Sequence, residues 1–222
     1  MFKIEFEDRD GRLDTADREL ARQICTAADA ELHALLPTLI DSVDLRIATG
    51  SDVIPTIGYG ARAMTFNSIA FTFDPYHPTG IRSVFEKFLR PALFHECHHL
   101  VRGWVKRGGK RRAHFIEGVI CEGLASAFER DAAGHEPPWC SYPENVREWV
   151  SELLRLPASA PYAEWMFMHP DGRRWIGYRA GTFIADRAIA ASGRSAAELA
   201  ETDYAEVLKL ARLPLPACAR QG

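Results

Sequence analysis

The run from Gly80 to Gly103 constrains this chain more than any other stretch, because it reads as helix and carries His95-Glu96-Cys97-His98-His99 near its end. Four residues is a little over one helical turn, so His95 and His99 stand about 40° apart on one face. Glu96 lies about 100° from His95 and about 60° from His99, beside the pair rather than in line with it. Leu93, Cys97, Leu100 and Trp104 project about 140–180° away from His95, which gives the helix an apolar back suited to a core. Pro91 suits a first helical turn, so the segment is expected to bend or restart there before ending near Gly103.

Before Pro78 the pattern has a different period. Phe2, Ile4 and Phe6 alternate with charged residues, as do Val43, Leu45 and Ile47, and Ile69, Phe71 and Phe73 alternate again. That period of two indicates half-buried strands. Asn67-Ser68 suits a hairpin turn or a bulge. Asp14 or Thr15 can cap a long helix that runs toward Leu36 and closes at Pro37. After the histidine-bearing helix a second helix is expected from about His114 to Ala133, with Gly134 placed to end it. The capping boxes Ser195-x-x-Glu198 and Asp203-x-x-Glu206 indicate later helices, and the Pro-rich stretches near Glu136 and Leu156–Pro161 are loops. The expectation is one α+β domain over 1–222, strand-rich over 1–78 and helical over 79–222.

Bulk properties narrow the class. At 222 residues with 47% hydrophobic content, a sizeable core is possible without disulfide staples. Five scattered cysteines, odd in number and without a CxxC, suit reduced thiols in a cytoplasm rather than a secreted disulfide framework. Charges at Lys3 and Glu5 stand where a signal peptide needs an apolar core, and no stretch approaches a membrane span. A cytoplasmic location with no membrane partner is expected. A net charge of −3 gives no global attraction to nucleic acid. The basic run Arg102, Lys106, Arg107, Lys110, Arg111 and Arg112, with Gly108-Gly109, reads as a solvated loop.

The chemistry resides in the HExxH of His95, Glu96 and His99. Two imidazoles on one helical face can reach a single tetrahedral Zn²⁺, and Glu96 stands where it can accept a proton from a water on that metal. A third ligand is needed. Glu122, in Cys121-Glu122-Gly123-Leu124-Ala125, is favoured, because the small residues Gly123, Ala125 and Ser126 around it let this helix approach the histidine-bearing helix closely. Glu117, about 140° round the same helix, is its rival. His98 reads as a supporting or packing residue, and Glu129 as a carboxylate able to orient a ligand histidine. Arg102 and Val105 stand where a metzincin would have Gly and His.

These motifs resemble the gluzincin peptidases. More closely, His95-Glu96-Cys97-His98-His99 followed by Glu122-Gly123-Leu124-Ala125 resembles the YjaZ-like family of bacterial zinc-dependent proteases. Gly177-Tyr178-Arg179-Ala180-Gly181 is similar to the Gly-Tyr-x-x-Gly segment of that family, and the likeness spans roughly residues 60–212. The resemblance implies zinc ligation by His95, His99 and Glu122, one ion per chain, with Glu96 as catalytic base. It also implies a compact zincin-like fold: a small, twisted, mostly antiparallel sheet over the active-site helix, then a helical lower half. An edge strand within Ala61–Phe73 would pair with an extended substrate.

A zinc-dependent peptidase acting on peptides or proteins is therefore expected. Tyr178 is the leading candidate to stabilise the oxyanion, with Arg179 and His169 behind it. The same ligands would serve a hydrolase of a non-peptide amide, and a zincin fold with little turnover would serve in binding or regulation.

Overall fold

Alternation at Phe2, Ile4 and Phe6 produces strand β1 (Phe2–Glu7), whose apolar side chains are half-buried while Lys3 and Glu5 face solvent. Helix α1 (Thr15–Leu35) comes next. Asp14 caps it, accepting from the Asp17 amide at 2.8 Å, while the Asp17 carboxylate accepts from the Asp14 amide at 3.4 Å. Ala21, Cys25, Ala28 and Leu32 recur at helical spacing and are completely buried. Strands β2 (Val43–Thr49), β3 (Tyr59–Thr65) and β4 (Ser68–Phe73) complete a sheet of order β1-β2-β4-β3.

This computed structural model describes residues 1–9, 11–103, 105 and 114–216. It divides into two units, Met1–Arg107 and Gly108–Gly222. Trp104, the basic residues 106–112 and Cys218 lie outside the described residues.

The architecture is mixed α+β, but the sheet corrects the expectation of a mostly antiparallel one. β1 pairs parallel with β2, and β2 pairs parallel with β4; β3 and β4 alone among these pairings are antiparallel. The physical reason is connection length. The long α1 carries the chain back to the start of the sheet, which a parallel neighbour requires, whereas only Phe66-Asn67 separates β3 from β4. The turn at Asn67 forms as expected, and the register also slips between Ala63 and Thr65, a bulge at Met64.

Leu45, Ile47, Ile69, Phe71 and Phe73 form the buried side of the sheet. Against them lie α1 and a continuous helical run: α2 (Ile81–Val84), a π-helical turn (Phe85–Leu89) and α3 (Arg90–Arg102). The Phe85 ring meets Phe73 edge-on with centroids 4.5 Å apart. The π turn explains how the run passes Pro91 without breaking. Proline has no amide to donate and its ring clashes with the carbonyl four residues back, and the widened ladder relieves both. Gly103 ends α3 at φ 68°, a conformation that favours glycine.

In the second unit α4 (Phe115–Ala133) begins with a capping box of His114 and Glu117 and ends at Gly134, φ 68°. It packs along α7 (Ile176–Ser192) at unusually short range. A Cβ built on Gly123 would lie 2.0 Å from the Gly181 carbonyl carbon, and one on Gly181 would lie 2.1 Å from the Val119 carbonyl oxygen. Gly123 thus admits α7, whereas the small residues around Glu122 were expected to admit the histidine-bearing helix. Helices α5 (Val146–Leu153), α6 (Tyr162–Met166) and α8 (Tyr204–Leu210) complete the unit. Asp203 caps α8, accepting from the Ala205 amide at 2.8 Å, while Glu206 of the expected box accepts from Lys209 at 3.2 Å. The Ser195–Glu198 box forms its hydrogen bonds but caps only a run of turns. There the backbone alternates between three- and four-residue closures, and the Arg194 guanidinium takes the Glu198 carbonyl. Among the described residues no helix is long and apolar enough to cross a membrane.

Candidate metal centre

Helix α3 presents His95 and His99 as their spacing requires. Their ring centroids are 4.7 Å apart and the ring planes cross at 80°. Both are buried, at 8% and 4% exposure, as is Glu96 at 5%. The back of the helix is apolar and closed: Leu93 and Cys97 are fully buried and Leu100 nearly so. Burial of imidazole and carboxylate together is costly unless each polar atom has a partner or a cation.

Glu96 has such a partner in its own unit. The Ala63 amide donates to its Oε2 at 2.6 Å. Ala63 belongs to β3, the outer strand of the sheet, and among the described residues no strand pairs with its side away from β4. The Ala63 amide is aimed at Glu96. Sequence reasoning placed an edge strand in this region but had no means of identifying this contact, because a backbone donor leaves no residue signature.

Glu122 lies in the middle of α4 and is 6% exposed. The Tyr162 hydroxyl donates to its Oε1 at 3.1 Å. Tyr162, the first residue of α6, was not among the expected site residues. Forty positions separate it from Glu122 and it belongs to no spacing motif. Glu117 has other employment: its carboxylate accepts from the His114 amide at 3.3 Å in the helix cap. Glu129, 1% exposed, holds the His135 Nδ1 at 2.8 Å, so this carboxylate orients a histidine at the helix end.

His95 and His99 on α3, and Glu122 on α4, are the candidate metal-holding side chains among the described residues, and all three are buried. Two imidazole nitrogens and one carboxylate oxygen, all buried, form a donor set that suits Zn²⁺ with an open fourth position. The residues present therefore fit a zinc ion.

The remaining candidates lie on or near α7, with the following contacts. Tyr178 lies in the first turns of α7, its ring 5.8 Å from Trp139 and 6.2 Å from Phe167. His169 pairs with Asp171 at 2.9 Å and lies over Trp165. Arg179 donates to the Pro138 carbonyl at 3.2 Å. Cys25, Cys97, Cys121 and Cys140 are buried free thiols. Burial pushes Cys25 up to about 12 and Cys140 up to about 11, and raises Cys97 as well. A thiolate nucleophile is thereby disfavoured at these three positions.

A family model described as "Predicted Zn-dependent protease (DUF2268)" matches residues 77–209, more than half of the chain. The matched span contains α3, α4 and α7. No curated protein and no solved structure matches the chain.

Proposed function

The chain belongs to this family of predicted Zn-dependent proteases, and on that premise we propose that it is a zinc metallopeptidase of gluzincin type, with His95, His99 and Glu122 as ligands and Glu96 as general base. The observation that carries the proposal is the pair of buried imidazoles, ring centroids 4.7 Å apart, beside the buried Glu96 carboxylate on α3. When bound there, zinc would supply the charge that acidifies a water and polarises the scissile carbonyl.

The residues of the chain do the rest. Glu96 takes the proton of the attacking water and delivers it to the departing amine, which requires a carboxylate with a fixed direction. The Ala63 amide supports this role, because it holds Oε2 and thereby fixes the plane of the carboxyl group. The same outer strand offers its amides and carbonyls around Ala61–Thr65 to an extended peptide, so substrate and base would share one strand as reference. Tyr178 is assigned to the oxyanion; its phenol is carried on a helix whose packing against α4 admits no slack at Gly123 and Gly181.

The test compares wild type with Glu96→Gln on a mixed peptide library, with zinc measured by elemental analysis in both. Stoichiometric zinc in each protein and a loss of about 10²–10⁴-fold in cleavage by the variant are expected. Bound zinc with no peptide cleavage by the wild type sinks the peptidase reading.

A further inference from the structure

We infer that Tyr162 is the positioning residue for Glu122: its hydroxyl donates to one carboxylate oxygen and so sets the direction of the group proposed to hold the metal. The inference rests on the reading of Glu122 as a zinc ligand.

The phenol is held by its own surroundings and does not depend on the carboxylate for its place. Pro161 precedes it at φ −61°, which restricts the entry into α6. The Tyr162 ring lies between Phe115, centroids 6.0 Å apart, and Phe167, 6.2 Å apart. Phe115 opens α4, the helix that carries Glu122, and is itself 2% exposed. The far end of α6 is anchored by Met166, fully buried, whose sulfur fills the space beside Gly177; a Cβ there would stand 2.0 Å from it. A hydroxyl fixed in this way directs the flexible partner. Glutamate has several rotatable bonds, and a donor 3.1 Å from Oε1 selects among its rotamers before any ion arrives. The donor is also neutral. It orders the carboxylate without cancelling the negative charge that a cation requires, which an arginine or lysine in its place would do.

The experiment measures zinc affinity of the full chain by competition with a chromophoric chelator, and the visible absorption bands of the Co²⁺-substituted protein. Four proteins are compared: wild type, Tyr162→Phe, Glu122→Ala and Tyr142→Phe. The last loses a phenol hydrogen bond to Asp186 in the same unit, so it controls for removal of a hydroxyl as such. Tyr162→Phe keeps the ring contacts, so its metal-free melting temperature should stay close to wild type. Its zinc affinity should fall about 10–100-fold, with shifted Co²⁺ bands, while Tyr142→Phe matches wild type. If Tyr162→Phe binds zinc within about twofold of wild type with unchanged Co²⁺ bands, and Glu122→Ala does not, the positioning role is overturned and the ligand assignment stands. If Glu122→Ala also binds zinc like wild type, the ligand assignment itself has failed.

Discussion

Helices α3 and α4 carry the candidate ligands, yet they are built on different principles. In α3 the chemistry is set by distance along the chain: His95, Glu96 and His99 take their mutual angles from helix pitch alone, and the π turn before Pro91 keeps the helix running. In α4 the one important carboxylate takes a partner from far along the chain. It is defined by a glycine contact with α7 and by a tyrosine from α6. A short motif is robust to its surroundings, whereas a single residue whose role comes from distant chain segments is exposed to any change in them.

The largest expected effect comes from that asymmetry. Gly123→Ala puts a methyl group against the Gly181 backbone, where no side-chain rotation can relieve it. Overpacking of this kind should cost about 3 kcal/mol or more, measured by urea unfolding, and should abolish zinc binding with it. Gly181→Ala should behave alike. If either is tolerated with unchanged stability and zinc affinity, α4 is not fixed by this contact and the contrast with α3 disappears.

A smaller effect tests the entry to α4. Glu117→Ala removes the carboxylate that accepts from the His114 amide, which should lower stability by about 1 kcal/mol. Zinc affinity should not change, because Glu117 serves the cap and Glu122 is the proposed ligand. A loss of zinc binding in this variant would reverse that division.

The smallest concerns the hairpin that leads into α7. Asp171 has its carboxyl held down to about 2, first by the Arg173 amide and then by the side chains of His169 and Arg173. A depressed carboxyl stabilises the fold above its unfolded value of 3.8 and loses that contribution as pH falls through about 2. Carboxyl NMR should place its midpoint near 2; a midpoint near 3.8 would mean that this turn exerts no hold in solution.

Much of the fold was legible in the chain. Period-two runs marked β1, β2 and β4, though not β3, Asp14 and Asp203 marked their helix starts, and Gly134 marked the end of α4. Other elements were missed although a signal existed. Val146, Trp149, Val150 and Leu153 recur at helical spacing and all four are buried in α5. The sheet's pairing directions were misjudged because alternation reports which side of a strand is apolar and nothing about its neighbour. The Ser195 box forms its hydrogen bonds, yet the residues beyond it settle into a run of turns rather than a helix.

The sequence by itself determined the angular relation of His95, Glu96 and His99, since a helix converts spacing into direction without help from elsewhere. It also supplied Glu122 as a residue type in a small-residue helix. Tertiary structure alone decided what those groups touch: the Ala63 amide on Glu96, the Tyr162 hydroxyl on Glu122, and the use of Gly123 against Gly181. The reason is physical. Hydrogen bonds and backbone contacts between residues tens of positions apart depend on where whole elements come to rest, and no local period in the chain encodes that.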